Sequence, residues 1–209
     1  LLLHAGWPEV CATASSKHKV TLLDPMAGSG SLLLEAACIA GDVAPGLMRI
    51  KCGVPGHSMP PVTRWKAAGD DPDAVKELWK RLLTSATARA KQGLSKLQSD
   101  NSPIEMIGND IHPGALDLFE AALHQAGLTN VVQVTEGDCL DWNPEVRNPD
   151  GPWMIVSNPP WDVRLTGDMH TARAAMRVLF ARNRPVQYCG VGAVGKSGCH
   201  QTFGIAQDT

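Results

Sequence analysis

The chain has 209 residues, 44% of them hydrophobic and 19% charged, a globular composition with length for one sizeable core. Its formal net charge of −2 excludes a general attraction for phosphate backbones, so any grip on nucleic acid needs a local patch or another module. Six cysteines without a C-x-x-C pair exclude a disulfide-stapled miniprotein and favour an intracellular, cytoplasmic setting, with nucleus or organelle left open. No run approaches the roughly 18 apolar residues of a membrane span, and the opening three leucines are too short for a signal sequence.

In chain order, residues 20–23 form a short apolar β-type run that ends at Asp24. The turn-rich Pro25-Met26-Ala27-Gly28-Ser29-Gly30 follows, and residues 31–40 have a helical pattern stopped by Gly41. Residues 42–70 are rich in Pro and Gly and predict an irregular excursion. Asp71-Pro72 opens a helix with Val75, Leu78, Trp79, Leu82, Leu83, Ala86 and Ala90 on one packed face, and Gly93 is its expected stop. Residues 104–108 predict a second strand ending at Asn109-Asp110. Pro113 opens the next helix, with Leu116, Phe119, Ala122 and Leu123 inward and Gly127 closing it. Residues 131–134 predict a third strand leading to Gly137-Asp138. Residues 153–157 predict a fourth, ended by Asn158-Pro159-Pro160-Trp161, where prolines cannot continue a ladder.

Strands that alternate with helices predict an α/β fold with a parallel, doubly wound sheet and its ligand at the carboxyl ends of the strands. The resulting division is a core over residues 1–165 with an insertion at 42–100, followed by a tail at 166–209. Beyond Arg164 the tail lacks the alternating apolar runs that extend a sheet, so the position beside the fourth strand is expected to be open.

Three constellations carry chemistry. Glycines at the turn over residues 24–30 let the backbone approach a ligand, and the next helix offers unpaired N–H groups. Asp110, ending the second strand, is placed to accept both hydroxyls of a ribose. It lies much further from Asp24 than the roughly 20 residues of a dinucleotide fingerprint, which requires an insertion in the first crossover. Asn158 and the Pro159 carbonyl suit hydrogen bonds from a base amine, Pro160 helps to fix the loop, and Trp161 can stack on an extruded base.

These motifs resemble a known family. Asp-Pro-Met-Ala-Gly-Ser-Gly at 24–30, Leu34-Glu35-Ala36-Ala37, Ala44-Pro45-Gly46-Leu47, Gly108-Asn109-Asp110 and Ser157-Asn158-Pro159-Pro160-Trp161 with Arg164 are similar to the THUMP-associated RNA methylases. The bacterial large-subunit ribosomal RNA guanine-N2 methyltransferases are the nearest members, and the likeness extends over Ala88-Arg89-Ala90-Lys91-Gln92-Gly93-Leu94. Ala27 replaces the usual Cys, Ser31 the usual Thr and Trp161 the commonest Tyr, all with steric roles kept.

The resemblance implies a Rossmann-like class I methyltransferase sheet with helices on both faces, incomplete at its C-terminal strands. It implies S-adenosylmethionine as cofactor, held by Asp24, Pro25, Met26, Ala27, Gly28, Ser29, Gly30, Asn109, Asp110, Ile111, Asp138, Cys139 and Asn158, with Asp138 near the adenine amine. It implies methyl transfer to an exocyclic base amine of RNA, guanine N2 in rRNA or tRNA, with Asn158, Pro159, Pro160 and Trp161 at the reacting amine and no metal. A THUMP-like RNA-binding module is expected before Leu1. The alternatives are a DNA adenine-N6 methyltransferase and a non-catalytic RNA-binding fragment of a methylase.

Gly190-Val191-Gly192-Ala193-Val194-Gly195-Lys196-Ser197 fits a phosphate loop, with residues 186–189 as its strand. Gly198-Cys199-His200 begins a helix poorly, and too little chain follows to supply a second acidic strand for Mg²⁺, so no triphosphate site is expected. His57 and His112 have no metal-ligand spacing and are expected in solvent or at a cap, and Cys139 is expected to be a small buried hydrophobe rather than a nucleophile.

Overall fold

A computed structural model describes residues 1–47, 71–149, 151–158 and 186–188. Nine elements run in chain order: α1 (Trp7–Thr13), β1 (Val20–Asp24), α2 (Ser31–Ala40), α3 (Pro72–Leu97), β2 (Ile104–Asp110), α4 (Pro113–Ala126), β3 (Val132–Glu136), β4 (Trp153–Ile155) and β5 (Val186–Tyr188), all counted among the described residues. The five strands form one sheet in the order β3-β2-β1-β4-β5. Every pairing is parallel, with Asp24 opposite Gly108 across β1 and β2 and Leu23 opposite Ile155 across β1 and β4.

The interior strands are buried on both sides, which explains why apolar residues occupy both of their faces. Alternation sorts their side chains. Val20, Leu22, Ile104, Met106, Val132 and Met154 face one core with Leu33, Ala36 and Ala37 of α2 and Phe119 and Leu123 of α4. Leu23, Ile107, Trp153 and Ile155 face a second core that Trp142 and Val146, from the β3–β4 connection, cover. The same connection is clasped by a charge. Glu105, only 8% exposed, accepts bonds from the Thr21 hydroxyl at 3.3 Å, the Arg147 amide at 2.9 Å and Arg147 Nε at 3.0 Å. These contacts satisfy a carboxylate that would otherwise be buried at a cost of several kcal/mol.

Two helices depart from expectation. Trp7 begins α1, for which the sequence offered no reading, and its fully buried indole Nε1 donates to Ala36 O at 3.0 Å, seating α1 on α2. α3, capped by the Asp71 carboxylate on the Asp73 and Ala74 amides, runs past Gly93 to Leu97. Gly93 is there for approach: a Cβ would strike the backbone of Gly41, so a glycine permits α3 to lie against the end of α2. Of the expected apolar face, Ala90 is buried with Val43 and Leu47 and Leu83 packs against them, whereas Leu78 and Leu82 are exposed at 46% and 54%.

The position beside β4, expected to be open, is filled. Residues 186–188 pair with β4 in parallel, Trp153 opposite Val186 and Ile155 opposite Tyr188. A three-residue segment cannot show a periodic pattern, and its backbone bonds rather than its side chains place it. The strand read as the start of a phosphate loop is thus a member of this sheet, and the motif at 190–197 lies outside the described residues.

Candidate cofactor and base site

Successive strands step from β1 to β2 to β3 in one direction and from β4 to β5 in the other, so the order reverses between β1 and β4. Chain leaving the carboxyl ends of two such neighbours diverges, which opens a crevice where doubly wound folds bind ligands. The turn over residues 24–30 leaves β1 at this point, and Val156-Ser157-Asn158 leaves β4 beside it, held by the Val156 amide on Leu23 O at 3.0 Å. Burial falls from complete at Val156 and Ser157 to exposed at Asn158, which therefore stands at the crevice mouth.

The turn has the glycine geometry its sequence required. Gly30 adopts φ 75° as the N-cap of α2, and a Cβ there would collide with the Phe119 ring. Among the described residues no side chain caps the first turn of α2, so the positive end of its dipole lies at the glycine turn.

The end of β2 is the junction of the site. Its main chain accepts the Ala27 amide at Asn109 O, 2.8 Å, and the Gly137 amide at Asp110 O, 3.1 Å. The Asp110 carboxylate accepts the Gly28 amide at 2.7 Å on Oδ2 and the His112 amide at 3.0 Å on Oδ1. The fully buried Asn109 amide donates from Nδ2 to Pro25 O at 3.2 Å and to Gly137 O at 2.9 Å, while the Thr135 hydroxyl lies 3.1 Å from its Oδ1. Glycine turn, β2 and the segment after β3 are therefore one hydrogen-bonded unit.

Asp24 is 1% exposed. Its Oδ1 accepts the Met26 amide at 3.2 Å and shapes the turn. Its Oδ2 and the Ser157 hydroxyl are both buried without a hydrogen-bond partner among the described residues. Burial pushes the Asp24 carboxyl up to about 7; the nearby Ser157 hydroxyl and the Met26 amide oppose the rise, and the Asp110 charge adds to it. The hydroxyl's influence is that of a nearby dipole, without the geometry of a formed bond.

Asp138 lies half-buried past β3 with its Oδ1 on the Leu140 amide at 2.9 Å. Cys139 is buried, and burial reinforced by Asp138 pushes its thiol up to about 11, which suits a packed group and not a thiolate nucleophile. Ile111 is exposed at 54% where β2 ends, a large apolar side chain at the crevice edge. His112 occupies the N-cap position of α4, as expected for a cap residue.

Hydrogen bonds thus join the turn at 24–30 to Asn109, Asp110 and Gly137, the residue before Asp138 and Cys139, while Ile111 follows β2 and Asn158 follows β4 in the chain. Pro159, Pro160, Trp161 and His57 lie outside the described residues. Sequence reasoning missed Ser157, whose signal was its place between a buried strand and Asn158, and Thr135, which gave none. A shallow groove lies elsewhere among the described residues, between Ala44, Leu47, Trp79, Leu83, Ala86 and Arg89. Its lining among the described residues holds no carboxylate and no side-chain amide.

A parallel sheet with a glycine turn, a strand-end carboxylate and a buried acid gathered at its switch point defines a Rossmann-like domain. The chain belongs to the RMKL-like methyltransferase-domain family, whose model matches residues 10–181.

Two curated relatives carry the name ribosomal RNA large subunit methyltransferase K/L. One from Methylococcus capsulatus is 36% identical over 171 residues, and one from Allochromatium vinosum is 35% identical over 168. The matches cover 82% and 80% of this chain but 19% of each relative, so the chain spans about a fifth of their length.

Among solved structures, one from Listeria monocytogenes described as a predicted N6-adenine-specific DNA methylase superposes with a TM-score of 0.58 at 21% identity, over 88% of this chain and 41% of that one. SMU.472, solved in complex with SAH, superposes with a TM-score of 0.57 at 19% identity, over 90% and 46%. Both likenesses are of fold.

Proposed function

We propose that this chain is the cofactor-binding core of an enzyme that transfers a methyl group from S-adenosylmethionine to an exocyclic amine of an RNA base, guanine N2 of rRNA or tRNA. The observation that carries this reading is the junction at the end of β2. There a strand-end carboxylate grips the glycine turn, as a nucleoside-binding site requires, beside the crevice that Asn158 overlooks.

The residues fit the cofactor. Asp110 uses one lone pair of each oxygen on backbone amides, and a carboxylate oxygen can accept two bonds, so it can also receive the ribose hydroxyls. Ile111 offers an apolar surface to the adenine ring, and Asp138 with Cys139 line the same edge. Asp110 and Asp138 make this end of the sheet negative, which suits a ligand with a sulfonium and an ammonium charge. When bound, S-adenosylmethionine supplies an electrophilic methyl group.

Asn158 accepts a hydrogen bond from the target amine where positive charge develops on its nitrogen. The Pro159 carbonyl shares that role, Pro160 keeps the loop fixed and Trp161 stacks on the base. Rate comes from aligning amine and methyl in a dry site.

The core covers residues 1–165 with its insertion at 42–100, and residues 186–188 add a strand to its sheet beside β4. The net charge of −2 leaves RNA capture to a THUMP-like module outside this chain, working in the cytoplasm. Two measurements test the reading: calorimetry with S-adenosylmethionine, and methyl transfer to total RNA by the full-length protein. Asn158→Ala in the full-length protein is expected to lower turnover at least a hundredfold while cofactor affinity changes less than threefold, roughly the loss of one transition-state contact. Equal losses in both would assign Asn158 a structural role, and transfer to DNA adenine alone would overturn the choice of substrate.

A further inference from the structure

We propose that Asn109 is a positioning residue whose amide sets the spacing between the glycine turn and the segment after β3, the two walls between which an adenosyl group would lie. The inference rests on the cofactor reading above.

Three features single Asn109 out. It is fully buried at the end of a central strand, where an apolar side chain would be ordinary. It bonds two carbonyls belonging to different loops, Pro25 O and Gly137 O. The orientation of its amide is determined. Two carbonyls accept on the Nδ2 side, and the Thr135 hydroxyl lies on the Oδ1 side; turning the amide over would place an oxygen against two oxygens.

The flanking main chain pins the same loops to β2 through the Ala27 and Gly137 amides. Those bonds fix each loop to β2 separately. The Asn109 side chain ties one loop directly to the other. Its neighbour Asp110 reaches the same turn at Gly28 but bears on the ribose, so the two adjacent residues divide the work into contact and spacing.

The test uses the whole chain and three probes: S-adenosylmethionine, S-adenosylhomocysteine and adenosine. Asn109→Asp keeps the shape but directs an acceptor at two carbonyls. It is expected to weaken all three at least tenfold at 10 °C, where far-ultraviolet circular dichroism and gel filtration establish that the variant is folded. Thr135→Val removes the hydroxyl that is shared between the Asn109 amide oxygen and the Gly108 carbonyl, and serves where the first variant does not fold; it is expected to weaken all three about threefold. A lowered melting temperature with wild-type affinity for the probes in the folded variants would overturn the proposal and leave the cofactor reading standing. A wild-type chain that binds none of the three would overturn the cofactor reading, and this proposal with it.

Discussion

Replacing Asp24 by Asn removes a carboxyl that the fold holds at about 7 against an ordinary 3.8. A carboxyl raised in the folded state contributes stability that is fully present below pH 3.8 and is lost as pH rises through 7, because the native state binds the proton more tightly. A shift of about three units at 1.36 kcal/mol each makes the ionised form cost about 4 kcal/mol above pH 7. Asn is the neutral isostere: its oxygen can still accept the Met26 amide, and its NH₂ would face the Ser157 hydroxyl. Asp24→Asn is therefore expected to match the native protein near pH 4 and to exceed it by about 4 kcal/mol at pH 8. In urea that is a midpoint shift of about 2 M for a slope near 2 kcal/mol per M. Titrations of both proteins in half-unit steps from pH 4 to 8.5 give the difference directly. A difference that is constant over that range, or one that favours the native protein at pH 8, would refute the argument from burial.

Gly30→Ala combines a left-handed backbone with a methyl group driven into the buried Phe119 ring, for a loss of about 2–4 kcal/mol and a melting temperature lower by roughly 5–15 °C. A change under 2 °C by calorimetry would show that the turn re-forms freely. Asp110→Ala is expected to weaken S-adenosylmethionine by about 1–3 kcal/mol in titration calorimetry, since the ribose hydroxyls lose an ionised acceptor and Gly28 loses its anchor. Undiminished affinity would remove Asp110 from the site.

Local chemistry made much of this legible. Ser31–Ala40 begins and ends where its glycines allow, Gly127 closes α4 at φ 69°, and the apolar runs of β1, β2 and β4 lie within buried strands. The turn over residues 24–30 and Asp110 were readable because few residue types tolerate a close approach or anchor a strand-end turn. What escaped depends on partners distant in sequence. Gly93 resembles a helix stop until Gly41 is placed against it. Trp7 has meaning only once the Ala36 carbonyl is near, and Asn109 only once Pro25 and Gly137 flank it. Trp142 and Val146 sit in a connection with no period of its own, yet they cover a face of the sheet.

The switch point also has a consequence for how the molecule assembles. β1 pairs on one side with β2 and on the other with β4, joining Thr21 to Trp153 across most of the described chain. Contacts of such sequence separation form slowly, because the intervening loop must close before they reward it. On a ribosome the glycine turn and α2 emerge early, but the wall that carries Asn158 arrives only after Ile155. Until then the second edge of β1 is an unpaired strand that carries Val20, Leu22 and Leu23, a template for adventitious pairing. Nascent chains arrested before residue 153 should therefore engage holdase chaperones, and release should coincide with the emergence of β4, when the crevice first exists.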